Sequence, residues 1–492
     1  MRDGVRFLLG DEVRELREVD PTLTVLEWLR QVERRVGTKE GCAEGDCGAC
    51  TVVLGRLDGD GRVRYQAVNS CIQFVPTLDG VQLITVEDLK GPDGELHPVQ
   101  RAMVEAHGSQ CGFCTPGFVM SLFALYRNGG ALDGGRIDDA LAGNLCRCTG
   151  YMPIVAAAER MFELGLPEDD RFAAREAEVA ETLRSLDDGE TVAVTGDDGR
   201  RFFAPATADD LARLLLEHPQ ACIVAGATDV GLWVTKDQRV LDPVIYVGRV
   251  NELRRVAETT DAIEIGAAAT YAEAGPVIAA HYPDFGELLR RLGGVQVRNL
   301  GTIGGNIANG SPIGDSPPAL IAAGARLHLR RGDERRVLPL EDFFIAYGRQ
   351  DRRPAEFVET IVLPKPAPGA RFRAYKVSKR FDQDISSVCG AFLLRVEGGR
   401  VEAVRIAYGG MAATPKRAVR TEEALLGRPW TRETVEAGMT ALADDFTPIS
   451  DWRASAGYRS RVARNLLLRL FVETTDGGAE TRLVGDRGLA HV

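Results

Sequence analysis

Eight of the ten cysteines fall in the first third of this 492-residue chain, and they form two spacing patterns. One is Cys42-x4-Cys47-x2-Cys50, followed later by Cys71. The other is Cys111-x2-Cys114, answered by Cys146-x-Cys148. Each set offers four thiols, the number that one 2Fe–2S cluster takes. Two such sets in one chain point to the transfer of single electrons. The first spacing is the plant-type ferredoxin pattern, and Gly41, Gly45 and Gly48 interleave with its ligands. A loop wrapping a cluster must turn N–H groups toward the sulfurs, which glycine dihedrals permit, and those bonds tune the potential. Zinc favours paired C-x2-C elements and fits this set poorly. For the second set, spacing alone suits zinc and a cluster equally; a carrier next door favours the cluster. Cys222 and Cys389 lie in apolar surroundings and read as small buried hydrophobes.

Two glycine-rich stretches could do different chemistry. Val224-Ala-Gly-Ala-Thr-Asp-Val-Gly231 follows a short strand and precedes a helical stretch. Its small residues let a backbone approach a pyrophosphate, with N–H groups at the helix start favouring the anion. An ordinary strand-to-helix turn has the same look, and the stretch is not the G-x-G-x-x-G dinucleotide fingerprint. Leu300-Gly-Thr-Ile-Gly-Gly-Asn-Ile-Ala-Asn-Gly-Ser-Pro-Ile-Gly-Asp315 is richer in donors, through Thr302, Asn306 and Asp315. A second loop of this kind fits a dinucleotide cofactor. Lys376, Lys379 and Arg380 are either a solvated charge cluster or a site for an anionic ligand; composition does not decide.

The elements that must position these groups follow from periodicity. Residues 5–9 and 13–19 alternate as strands do, and 24–34 has helical spacing with Thr22 or Thr24 as N-cap. Strand-like 51–54 and 63–68 follow the first cysteine loop, which makes a small α+β unit. Helices are expected over 98–107, 116–126, 137–142 and 153–164, with the second cysteine set at their ends. The charge-dense stretch 166–190 reads as a linker, in part helical. From about 195 helices and strands alternate as in α/β domains: a helix over 207–217 and strands near 222–225, 244–247 and 263–267. Residues 293–315 read as one long functional loop, and an α+β segment runs from Pro366 to about 472. The expected boundaries are 1–84, 85–165, a linker at 166–194, 195–366, 367–475, and a flexible tail at 476–492.

The formal net charge is −11, with 6 His and no basic run, which argues against a nucleic-acid partner. No signal-peptide core or membrane-length apolar run is present. The chain is expected to be soluble and cytoplasmic, where closely spaced cysteines more often bind metal than pair as disulfides.

At these residues the chain resembles the molybdenum hydroxylases. Gly41-Cys-Ala-Glu-Gly-Asp-Cys-Gly-Ala-Cys50 is similar to their ferredoxin-like loop. Gln110-Cys-Gly-Phe-Cys-Thr-Pro-Gly117 and Asn144-Leu-Cys-Arg-Cys-Thr-Gly-Tyr151 are similar to their helical second cluster domain. Residues 224–231 and 300–306 resemble the family's flavin domain. The resemblance implies a multidomain chain: a β-grasp ferredoxin-like domain, an all-α helical-bundle 2Fe–2S domain, an α/β FAD-binding domain and an α+β C-terminal domain. It implies Cys42, Cys47, Cys50 and Cys71 as ligands of one cluster, and Cys111, Cys114, Cys146 and Cys148 as ligands of the other.

FAD contacts are implied for Ala225, Gly226, Ala227, Thr228, Asp229, Val230 and Gly231, and for Thr302, Gly304, Gly305 and Asn306. Asp315, Leu363 and Lys376 lie at further matching positions. Leu292 stands where the animal enzymes have an aromatic residue beside the flavin ring, a departure that bears on stacking. Gln110 matches a glutamine facing the molybdopterin. The implied role is to take electrons from purine (hypoxanthine or xanthine) hydroxylation at a molybdopterin centre on a large partner subunit. They then reach FAD and NAD⁺, in an assembly of two small and two large subunits. No residue of the hydroxylation itself is expected on this chain. Residues 377–384 match the family's nicotinamide-access loop only partly. The alternatives are the same role with an aldehyde or N-heterocycle such as nicotinate and, from another class, a zinc-stapled scaffold.

Overall fold

In the computed structural model, which describes residues 1–130, 133–475 and 481, the chain divides into two units. One is Met1–Glu252 with Gly293–Gly301; the other is Leu253–Leu292 with the residues from Thr302 onward. The tail expected at 476–492 lies outside the described residues apart from Thr481.

The first unit begins with a five-stranded sheet in the order Glu12–Leu16, Val5–Leu9, Gln82–Ile84, Thr51–Leu57, Val63–Asn69. Val5–Leu9 and Gln82–Ile84 run parallel while the other neighbours are antiparallel. The helix Val25–Gln31 crosses this sheet, capped by Thr24, whose Oγ1 accepts from Glu27 N at 3.2 Å. Its buried Val25, Trp28 and Leu29 join Phe7, Val52 and Phe74 in one apolar core. A hydroxyl in that position satisfies one of the free donors of the first turn. The second strand ends at Leu16, short of the expected 19.

Four helices follow: Pro98–Glu105, Thr115–Arg127, Gly134–Leu141 and Met152–Arg160. Thr115–Arg127 is buried from Gly117 to Tyr126, so it is apolar all round and forms the middle of the bundle. The expected linker is instead largely the helix Arg171–Leu186. Phe172, Val179, Ala180, Leu183 and Leu186 pack into the bundle core, and the charges between them face outward. Its N-cap Asp170 accepts from Ala173 N at 2.8 Å. Arg127 Nη1 lies 2.8 Å from the same carboxylate and His97 Nε2 lies 3.2 Å from it. A buried ionic clamp therefore fixes the helix to the bundle. The unit is completed by a four-stranded sheet in the order Val192–Thr195, Arg201–Ala204, Val244–Tyr246, Cys222–Val224. The last three strands are parallel, as the α/β pattern requires.

The second unit holds a five-stranded antiparallel sheet, order Val256–Glu258, Ala262–Gly266, Phe357–Pro364, Arg326–Arg331, Glu334–Pro339. It also holds a four-stranded antiparallel sheet of Arg371–Val377, Val388–Glu397, Arg400–Gly409 and Lys416–Arg417, covered by Val419–Leu425, Arg432–Asp445 and Ala456–Thr475. The expected long loop at 293–315 is broken by two short helices, Val295–Arg298 and Ile303–Asn309, with Ser316–Ala323 beyond. The expected 195–366 domain is thus shared between the units. Among the described residues no helix is long and apolar enough to cross a membrane.

Candidate electron-transfer sites

The first thiol set sits on the loop entering strand Thr51–Leu57, with Cys71 at the end of strand Val63–Asn69. Cys50 and Cys71 are buried and pack with Leu26 and Ile72; Cys42 and Cys47 are half-buried. Three turns of the loop need left-handed backbone, at Ala43 (φ 54°), Gly45 (φ 76°) and Gly48 (φ 70°). Asn69 Nδ2 donates to Gly45 O at 2.7 Å, pinning the loop to the adjacent strand.

The second set is built from helix ends. Cys114 immediately precedes the helix Thr115–Arg127, and Cys146 and Cys148 precede Met152–Arg160. Tyr151, at φ 68°, returns its hydroxyl to accept from Cys146 N at 2.9 Å. Thr149 Oγ1 lies 3.2 Å from Cys146 Sγ. Cys111 and Cys148 are exposed.

Within each set the sulfurs push one another's proton affinities apart. Hydrogen bonds from Cys47 and Cys71 hold Cys42 well below the usual thiol range, while the bond to Cys42 and burial push Cys47 up. Cys71 holds Cys50 low and is itself raised by Cys42 and Cys50. In the second set Phe113 N–H and Cys148 lower Cys111, and Cys148 is raised by Cys111. Burial and Cys146 push Cys114 up to about 12. The second set groups as two pairs, Cys111 with Cys148 and Cys114 with Cys146. Among the described residues no three His, Cys, Asp or Glu meet as a single ion requires. Pairs fit a cluster in which each iron takes two thiolates.

The two loops touch. Leu145 N donates to Cys47 O at 3.0 Å, and Leu145 is followed directly by Cys146. Asn144 Nδ2 and Thr51 Oγ1 donate to Gly48 O at 3.1 and 2.6 Å. A Cβ on Gly48 would lie 2.2 Å from Gly143 O, and one on Gly117 would lie 2.2 Å from Gly48 O. Glycine at both positions permits this approach.

Gln110 is exposed beside the second set. Phe113 (48% exposed), Tyr151 (39%) and Met152 (71%) supply exposed apolar groups in the same loops, a feature that sequence reading missed.

In the first unit, Ala225–Gly231 forms a turn between strand Cys222–Val224 and helix Val230–Thr235. Ala227 has φ 57°, and a Cβ on Gly226 would lie 1.8 Å from Leu300 O. Among the described residues the N–H groups of Gly226, Ala227, Thr228 and Asp229 donate to no backbone acceptor. Consecutive free donors at a helix start suit a phosphate.

In the second unit, Thr302 caps Ile303–Asn309 through Gly305 N at 3.0 Å, and Gly304 N bonds Ala267 O at 3.1 Å. Asn306 Oδ1 accepts from Ser316 at 2.8 Å. Lys376 Nζ lies 2.5 Å from Asp315 Oδ2, both side chains buried, and Ser386 donates to the other oxygen at 2.5 Å. Leu363 is fully buried in the core, opposite Ile263 on the neighbouring strand. Leu292 is half-buried against the same core.

Four family profiles match in chain order. They are a 2Fe-2S iron-sulfur cluster binding domain at residues 10–75 and a 2Fe-2S binding domain at 85–159. An FAD binding domain in molybdopterin dehydrogenase matches at 197–366, and a CO dehydrogenase flavoprotein C-terminal domain at 373–474. Xanthine dehydrogenase of Drosophila subobscura is 32% identical, over 98% of this chain and 40% of its own length. Aldehyde oxidase 2 of Macaca fascicularis is 30% identical, over 95% of this chain and 39% of its own. The chain therefore spans about two fifths of the length of these relatives. A carbon monoxide dehydrogenase chain from Hydrogenophaga pseudoflava aligns with a TM-score of 0.52 and 29% identity, covering 55% of this chain and 94% of that one. Fold and thiol sets together define an iron–sulfur flavoprotein of the oxidoreductase class. The chain belongs to the xanthine dehydrogenase, or molybdenum hydroxylase, family and carries its iron–sulfur and flavin part.

Proposed function

We propose that this chain carries electrons within a xanthine dehydrogenase, from purine hydroxylation at a molybdopterin centre on a partner subunit to FAD and then NAD⁺. One observation carries the reading. A four-thiol set with two exposed members and one with two buried members are joined through the Leu145 N–H bond to Cys47 O. When bound, clusters supply one-electron chemistry and a flavin couples it to hydride transfer.

The eight cysteines named above are assigned to the two clusters. The free N–H groups of Gly226 to Asp229 are assigned to the flavin pyrophosphate, within the Ala225–Gly231 turn. Thr302, Gly304, Gly305, Asn306, Asp315, Leu363 and Lys376 are assigned to the rest of the flavin, with Leu292 replacing the aromatic ring neighbour. Gln110 is assigned to face the partner's cofactor, and the partner is assigned the hydroxylation. The relative named aldehyde oxidase 2 supports an aldehyde as the second substrate class.

The purified chain is expected to be brown, with about four irons and one flavin, and to bleach with NADH under anaerobic conditions. A colourless zinc protein overturns the reading. A flavin that NADH fails to reduce overturns the NAD⁺ assignment alone. Co-purification of the partner, then turnover of xanthine, hypoxanthine, an aldehyde and nicotinate, decides the substrate.

A further inference from the structure

Gln296 has no role in the assignments above, yet its side chain touches residues tied to both thiol sets. It lies on the short helix Val295–Arg298 and is 1% exposed. That helix falls in the stretch matched by the flavin-domain profile but belongs to the first compact unit. Gln296 Nε2 is 2.9 Å from Asn144 Oδ1, 3.2 Å from Thr51 Oγ1 and 3.2 Å from Ser121 Oγ. Ser121 in turn donates to Asn144 Oδ1 at 2.6 Å. Thr51 directly follows Cys50, Asn144 precedes Cys146 by two residues, and Ser121 rides on the helix that starts after Cys114. Both Asn144 and Thr51 then donate to Gly48 O, between Cys47 and Cys50. Room for the amide depends on a missing side chain, since a Cβ on Gly143 would lie 1.7 Å from Gln296 Oε1. The same segment ends at Leu300, whose carbonyl abuts Gly226 of the first glycine turn.

We propose that Gln296 is a positioning residue that sets the register of one cluster-binding loop against the other. A buried, hydrogen-bonded network rigidifies what it joins, and losing a member leaves the others to re-pair. Without the amide donors, Asn144 and Thr51 lose their shared partner. The Gly48 carbonyl, and with it the Cys47–Leu145 bond, is then free to shift. The inference rests on reading both thiol sets as cluster sites. Iron content and the native chain's electron paramagnetic resonance (EPR) signals test that reading separately.

The test uses the full chain with its iron and flavin. Gln296→Met keeps the length and removes the donors. It is expected to retain about four irons and the flavin. The distribution of the first electron between the two clusters should shift about threefold to tenfold, the worth of one net hydrogen bond. The magnetic splitting between the reduced clusters should change with it. Full cofactor content with native distribution and native splitting overturns the proposal. Should Gln296→Met fail to fold, Ser121→Ala removes a single oxygen of the network and is expected to give a smaller shift of the same sign. A Ser121→Ala chain indistinguishable from native then overturns it.

Discussion

The two thiol sets offer the same donors in opposite settings. Cys50 and Cys71 are closed in by Leu26 and Ile72 under a sheet, whereas Cys111 and Cys148 face solvent at helix ends. A strand-edge loop surrounds its guest, because left-handed turns at Gly45 and Gly48 wrap the backbone around it. Helix ends leave one side of their set open to solvent. On the proposed reading, the enclosed set retains its guest and the open one exchanges electrons with the partner. The contact between them, Leu145 N to Cys47 O, ties the loop with exposed thiols to the loop with buried ones.

The largest effect should come from removing one ligand of each set. Cys50→Ser is expected to lower iron from about four to about two per chain and to destabilise the first unit by about 4 kcal/mol, because a buried site loses its metal. Cys111→Ser should cost the same iron with a clearly smaller drop in thermal midpoint. Iron analysis with calorimetry decides, and equal midpoint losses would erase the contrast.

The next effect concerns what holds the open set's helices together. Burial works against a charged Asp170, but hydrogen bonds from His97 and Ala173 N and the charge of Arg127 outweigh it, so its carboxyl stays below the usual range. A lowered folded pKa contributes stability that is fully present above the unfolded value of about 4 and is lost as pH falls toward the folded one. Asp170→Asn should cost about 3 kcal/mol near neutrality, since buried Arg127 loses its nearer carboxylate and keeps only Glu176 at 3.5 Å. It should also remove this part of the acid dependence. Denaturant titrations at neutral and acid pH check both the size and the sign.

A smaller change should act on the contact itself. Gly117→Ala places a methyl 2.2 Å from Gly48 O, so the central helix and the enclosed loop must separate. Overpacking of this kind costs about 1–3 kcal/mol. Iron is expected to stay, while the magnetic splitting between the reduced clusters weakens. Unchanged splitting would mean that the two loops do not set the clusters' separation.

The sequence carried these sites unevenly. The first thiol set was legible from its spacing, the second only from the residues around its cysteines, and the first strands because alternation reports a half-buried sheet. The helix Arg171–Leu186 was hidden by charge: Phe172, Val179, Leu183 and Leu186 form a sparse apolar stripe among Glu and Arg. The 293–315 stretch was hidden by glycine, which reads as loop, although Thr302 is a proper helix cap. Division of the flavin stretch between two units leaves no local mark, since it depends on contacts far apart in sequence. Gln296 sits beside two valines with nothing in its spacing to single it out. Gly143, its required neighbour in space, is about 150 residues away.

The smallest effect on stability should carry the most information about the open set. Met152 is 71% exposed and follows Tyr151 at the start of its helix. Exposed apolar side chains beside a solvent-facing redox site have a use if another protein covers them. Met152→Ser should therefore change folding stability by about 0.5 kcal/mol or less and leave iron and flavin intact. Its effect belongs in association: the molybdenum-bearing partner should bind severalfold more weakly, measured by titrating it into the iron-loaded chain. Val240, 76% exposed and remote in sequence from both thiol sets, supplies the control. If Val240→Ser weakens binding as much as Met152→Ser does, exposure alone explains the loss and the open set has no claim to be the docking face. If only Met152→Ser weakens it, the openness of the second set is what the partner uses.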